Sequence, residues 1–211
     1  MSLSSISNFK NSVIIDIDNY TNEHLNDPIF IKYLISFSEK GGASGFLSKD
    51  LDNLKILKES TCLPIFAEIQ ENFDYILLPK TYNNFKNIVE SNRDFIIIEI
   101  CDFDGNRNLE KLINEIRNNF KGQLIGKVSN KSQAIQGYRL GMDALLIEVF
   151  GDNIEEEIIS NICFDINIPT IANLNSVNME QSKKLTELGI HTFILGEDIT
   201  NPNKIIKKLL V

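Results

Sequence analysis

Eight short apolar runs, separated by stretches of helical period, constrain the fold of this chain more than any other feature. They are SVIIDID (12–18), SGFLSK (44–49), LPIFAEIQ (63–70), DFIIIEIC (94–101), GQLIGKVS (122–129), DALLIEVF (143–150), IPTIANLN (168–175) and HTFILGED (191–198). Continuous β-branched runs of this length describe strands buried on both faces, as a parallel sheet requires. The intervening segments are amphipathic. NLEKLINEIRNNF places Leu109, Leu112, Ile113 and Ile116 on one stripe, with charges opposite. MEQSKKLTELG ends on Gly189, a helix C-cap just before the eighth run, and YRLGMDALLI repeats that junction at Gly141.

A β-then-α unit repeated eight times in 211 residues predicts an α/β fold, a single (β/α)8 TIM barrel. The rival is a doubly wound open sheet. That fold advertises a glycine-rich phosphate turn after its first strand, and IIDIDNYTNEH holds no glycine. One domain is expected over 1–211, with 1–9 a flexible leader and DYILLPK (74–80) an elaboration of the loop after the third strand.

The net charge of −8 argues against a nucleic-acid or anionic-membrane surface, which needs clustered lysines and arginines. No apolar run reaches the length of a membrane-spanning helix, and MSLSSISNF lacks the pattern of a signal peptide. The IIKKLL segment near the C-terminus reads as a docking helix, and the acids at 155–157 as a solvated helix start. Three scattered cysteines, Cys62, Cys101 and Cys163, match no disulfide framework or metal spacing. A reduced, cytoplasmic protein is expected.

Working residues of such a barrel sit where the strands end. The positions to inspect are Asp16 and Asp18, Leu47 and Lys49, Glu68 and Gln70, Glu99 and Cys101, Lys127 and Ser129, Glu148, Asn173 and Asn175, and Glu197 and Asp198.

At these junctions the chain resembles the N-acetylmannosamine-6-phosphate 2-epimerase family over nearly its whole length. EKGGASGFLSKDLDNLKILKESTCLPIF is similar to the family's second-strand region, LGMDALLIEVFG to its sixth strand, and IPTIANLNSVNMEQSKKLTELGIHTFILGEDITNP to its seventh and eighth. The resemblance implies exchange of stereochemistry at C2 of a phosphorylated N-acyl amino sugar. That isomerase chemistry needs a base, an acid, enolate stabilisation and a phosphate grip. It implies no cofactor, and a homodimer.

The residues that the resemblance assigns to this work are largely replaced. The third-strand lysine of the family falls on Gln70 and the seventh-strand glutamate on Asn173, neither of which titrates near neutral pH. Its arginines after strands two and eight fall on Leu47 and Asn201, and its fifth-strand aspartate on Lys127. Glu99 keeps the fourth-strand acid, and Asp18 takes the place of a first-strand glutamine. At the phosphate end, Gly196 is followed by Glu197 where close approach favours a second glycine. A carboxylate about 5 Å from a phosphate costs ~1–3 kcal/mol.

Two readings of Lys127 stand at this point. It is a relocated acid–base or ligand group, the only cation expected inward at this height, or it neutralises Glu99 or Glu148 on neighbouring strands. Lys127 and Glu148 are accordingly the candidate catalytic pair. Asp18, Glu68, Gln70, Glu99, Asn173, Gly196, Glu197 and Asn201 are the candidate substrate-binding residues. A divalent-metal set of Glu99, Glu148, Asp16 and Asp18 has no accompanying histidine, and no metal is expected. His24, His191 and Cys101 read as structural.

Three functions remain open. The first is a barrel of eroded family chemistry that binds a different, uncharged or cationic, sugar-like molecule. The second is an active amino-sugar-phosphate isomerase with substitute residues. The third is a non-catalytic interaction protein.

Overall fold

The computed structural model describes residues 5–18, 27–69, 94–100, 106–149, 156–174 and 179–196. Eight parallel strands close a barrel in sequence order, β1-β2-β3-β4-β5-β6-β7-β8, with β8 paired to β1. They are β1 (Ser12–Asp16), β2 (Gly45–Ser48), β3 (Ile65–Glu68), β4 (Phe95–Glu99), β5 (Gln123–Val128), β6 (Ala144–Val149), β7 (Thr170–Leu174) and β8 (Thr192–Leu195). Each lies within one of the eight apolar runs. The described helices are α1 (Pro28–Lys40), α2 (Leu51–Ser60), α3 (Asn106–Asn119), α4 (Lys131–Arg139), α5 (Glu156–Asp165) and α6 (Met179–Glu187). Among the described residues no helix is long and apolar enough to cross a membrane. The segment 74–80, IIKKLL and Glu155 lie outside the described residues.

Local chemistry sets the element boundaries. Asp27, Asp50 and Asn130 cap α1, α2 and α4 by accepting hydrogen bonds from the backbone N–H groups of Ile29, Asp52 and Asn53, and Gln133. Pro28 adds a pre-set φ at the first turn of α1. Gly141 (φ 76°) and Gly189 (φ 107°) end their helical segments in the left-handed region, as the two helix–glycine–strand junctions predict.

Strand alternation divides the apolar residues into two cores. Phe46, Ala67, Ile96, Ile98, Leu124, Leu145 and Ala172 face the helices and join Ile35, Leu57, Ile113 and Ile162 in the larger one. Ile14, Leu47, Phe66, Ile97, Ile125, Leu146, Ile171 and Ile194, one from each strand, fill the barrel interior. The interior is thus a packed floor rather than a channel.

Its lower end is closed by the segment expected to be a loose leader. That expectation is corrected for residues 5–9. Ile6–Phe9 form a 3-10 helix, and Ile6 and Phe9 are buried. The Phe9 ring meets Phe66 and Phe95 edge-on, both at 5.5 Å, while those two stack on each other at 4.2 Å. Polar contacts pin the plug. Ile6 N–H donates to Gln123 Oε1 (2.6 Å), Ser12 and Thr192 hydroxyls donate to the Phe9 carbonyl, and His191 Nε2 lies 3.1 Å from the Ile6 carbonyl. His191 therefore works at the end of the barrel away from the strand C-termini. The apolar N-terminal residues read as a leader because nothing local marks them as a plug. The rings that Phe9 meets, Phe66 and Phe95, lie more than fifty residues away in sequence.

Phe9→Ala removes a ring held by two aromatic neighbours, so urea denaturation should show a loss of about 3–5 kcal/mol. A loss below about 1 kcal/mol would mean that the plug is not part of the cooperative core.

Candidate functional site

Two residues beyond each member of the apolar floor, alternation brings the next inward position to the C-terminal mouth. That step leads from Ile14 to Asp16, Leu47 to Lys49, Phe66 to Glu68 and Ile97 to Glu99. On the other half it leads from Ile125 to Lys127, Leu146 to Glu148, Ile171 to Asn173 and Ile194 to Gly196. One apolar layer is followed by one polar layer, and every strand contributes to both.

Lys127 organises this layer. Its Nζ lies 2.9 Å from Glu68 Oε1 and 2.7 Å from Glu148 Oε1, spanning from β3 to β6. Lys49 approaches the other oxygen of Glu68 at 3.6 Å. Glu68 is only 3% exposed, so both lysines serve to neutralise a carboxylate withdrawn from water. Burial opposes the charge on Lys127, but hydrogen bonds and charge attraction from Glu148 and Glu68 outweigh it, and its pKa is pushed up to about 12. Such a lysine is a poor base at neutral pH.

Asp16 behaves differently. It is fully buried, and desolvation raises its pKa from 3.8 to about 7, against the pull of nearby Lys49 and a hydrogen bond from the Asp18 backbone N–H. It is the mouth carboxyl placed to exchange a proton near neutrality. Among the described residues two buried acceptors, Glu68 Oε2 and Asn173 Oδ1, take no hydrogen bond.

The positions expected from sequence divide as follows. Lys127, Glu148, Glu68, Asn173, Glu99 and Gly196 share the mouth layer, with Gly196 buried and Glu99 exposed at its rim. The expected partner of Lys127 is confirmed for Glu148 and corrected from Glu99 to Glu68, because Glu99 sits at an exposed strand end while Glu68 lies deeper. Lys127 is also not the only inward cation, since Lys49 joins it.

Asp18 turns away from the ligand space. Its carboxylate accepts from Ser48 Oγ (2.9 Å), Asn53 Nδ2 (2.8 Å) and the backbone N–H groups of Lys49 and Asp50, tying the end of β1 to the β2–α2 junction. With Asp18 and Glu148 so engaged, the acids do not gather as a metal set. Among the described residues no three His, Cys, Asp or Glu side chains form one. Gln70, Glu197 and Asn201 lie outside the described residues, as do His24, Cys101, Asn175 and Asp198. Cys163 is half-buried, and burial raises its thiol pKa. Asp16 and Lys49 stand among the strand-end positions inspected from sequence, and the alternation rule, run two residues past the apolar floor, separates them from Asp18 and Leu47.

Comparison with known proteins follows this geometry. A family model described as "Putative N-acetylmannosamine-6-phosphate epimerase" matches residues 31–210. Two relatives carry the corresponding 2-epimerase name. The protein of Oceanobacillus iheyensis is 23% identical, covering 95% of this chain and 97% of its own. That of Clostridioides difficile is 25% identical, covering 95% of each. The solved N-acetylmannosamine-6-phosphate 2-epimerase from Clostridium perfringens superposes with a TM-score of 0.84 at 19% identity, over 100% of this chain and 96% of that one.

The raised pKa of Asp16 makes stability depend on pH. Between pH ~4 and ~7 the folded state holds a proton that the unfolded state has lost, so stability falls as pH rises through that window. The full effect is about 4 kcal/mol. Asp16→Asn should flatten this slope and raise the melting temperature above pH 7 in calorimetric scans. An unchanged slope would show that Asp16 ionises normally.

Proposed function

The chain belongs to the N-acetylmannosamine-6-phosphate epimerase family, and we propose that it is a divergent member which no longer exchanges the C2 proton of a sugar phosphate by the family's residues. Its mouth instead binds a small sugar-like molecule without a phosphate. The observation that carries this reading is the clamping of Lys127 between Glu68 and Glu148. A lysine held at a pKa of about 12 releases no proton to speak of at neutral pH, and it is engaged rather than free to receive an anion. Lys49, the other cation of the described mouth, is also directed at Glu68.

Further support comes from the neighbouring substitutions. Leu47 lies in the apolar floor at a position where the resemblance implies an arginine, and Asn173 stands where it implies a proton-transferring glutamate. Loss of one general acid or base typically lowers a rate by about 10²–10⁴. Several such losses together exceed what a single replacement restores.

A second reading is favoured by one observation, the near-neutral pKa of buried Asp16. On that reading the barrel is an active isomerase in which Asp16, rather than Lys127, moves the proton.

Incubation of N-acetylmannosamine 6-phosphate with concentrated protein in deuterated water discriminates between them. The proposal expects no deuterium at C2 above the protein-free control. Exchange that survives Lys127→Met but disappears in Asp16→Asn would establish the second reading. Exchange lost on altering Lys127 or Glu148 would refute the proposal outright.

A further inference from the structure

Two buried acceptors of the mouth that take no hydrogen bond among the described residues indicate what chemistry it is built to receive. Glu68 Oε2 and Asn173 Oδ1 belong to residues only 3% and 6% exposed, and among the described residues neither atom accepts a hydrogen bond, Lys49 Nζ standing 3.6 Å from Glu68 Oε2 as an ion-pair neighbour beyond hydrogen-bond reach. Both side chains point into the barrel, since Phe66 and Ile171, two residues earlier on the same strands, belong to its interior. A buried acceptor left without a donor is unfavourable, and native proteins rarely keep one unless another molecule satisfies it. An anion brings acceptors to these atoms, whereas an ammonium or hydroxyl brings donors.

Charge adds a direction. Glu148 and Asn173 are register partners on β6 and β7, so their inward side chains are lateral neighbours. The carboxylate of Glu148 is bound to Lys127 through Oε1, and its side chain keeps 29% of its surface exposed. Across the described mouth the acidic side chains Glu68, Glu99 and Glu148 outnumber the basic Lys49 and Lys127, before Asp16 is counted.

We propose that the mouth is an ammonium subsite for an unphosphorylated amino sugar. The free primary amine, protonated, seats between the Glu148 carboxylate and Asn173 Oδ1, and a hydroxyl of the same molecule donates to Glu68 Oε2. Three donors on one ammonium suit an acceptor pair on adjacent strands, and the charge-assisted bond to Glu148 supplies the preference over a neutral sugar. N-acylation removes both the charge and two of the donors. A phosphate introduces repulsion with the carboxylates. This inference rests on the reading that the mouth holds a sugar-like molecule without a phosphate, and it specifies the group that is recognised.

Titration calorimetry on the full chain tests it with three probes: mannosamine, N-acetylmannosamine and N-acetylmannosamine 6-phosphate. At about pH 6.5 a primary amine is protonated, and mannosamine should bind at least roughly tenfold more tightly than either of the others. Asn173→Leu removes an oxygen that accepts no hydrogen bond among the described residues, so the variant should fold with an unchanged or higher melting temperature while losing that preference. Should Asn173→Leu not yield folded protein, Asn173→Ala gives the same readout.

Equal binding of mannosamine and N-acetylmannosamine would overturn the ammonium subsite while leaving the proposed function standing. So would a preference that survives at position 173, or no binding of mannosamine at all. Tightest binding of the phosphorylated probe, together with deuterium exchange at its C2, would overturn both.

Discussion

A buried carboxylate held between two lysines is the interaction on which the character of this barrel mouth depends. Glu68 lies deep on β3, and removing an ionised carboxylate from water is costly unless cations and hydrogen bonds compensate. Lys127 reaches it from β5 and Lys49 from β2, and Lys127 then hands its remaining charge to Glu148 on β6. The result is an ionic strap over the apolar floor. Its Glu68–Lys127 link ties β3 to β5, which share no direct pairing, and it engages both cations of the described mouth. Removing one partner would strand the others as buried charges, so these residues act as a unit.

The strap is effective because the layer below it is rigid. Each strand sends at least one apolar side chain into the interior, and the stacked rings of Phe66 and Phe95 with Phe9 beneath them seal the lower end. A packed floor keeps water from reaching Glu68 and Asp16 from below, which sustains both the strength of the ion pairs and the raised pKa of Asp16. The proposed loss of family chemistry and the proposed preference for a donor-bearing ligand are two consequences of one arrangement. In it acids face the mouth, and the bases that balance them are already engaged.

The barrel was legible because its signal repeats. Eight apolar runs, two glycine junctions at Gly141 and Gly189 and the stripe of α3 each point to the same architecture, so an error at one position would not change the answer. Individual side chains were less legible. The sequence leaves Glu99 and Glu148 as alternative partners of Lys127, both on neighbouring strands, and the structure pairs it with Glu148. Its other partner, Glu68, is not evident from sequence because the bond passes over β4, and β3 and β5 face each other only across the inward-curved side of the sheet. Asp18 and Asp16 are chemically identical in the sequence. What separates them is that β1 ends between them, which sends Asp18 to the β2–α2 junction and leaves Asp16 inside. Ile6 and Phe9 escaped notice because a plug has no local period to betray it.

The protonation of Lys127 is the point at which this account is most directly exposed. A carbon-detected NMR titration of the lysine side chains, with Lys127→Arg supplying the assignment, reports that proton without reference to any ligand. The account predicts that the Lys127 signal stays protonated beyond the ordinary lysine value of 10.5, consistent with a pKa of about 12. Deprotonation well below 10.5 would show that the two carboxylates do not hold it, and would return Lys127 to the role of a working base.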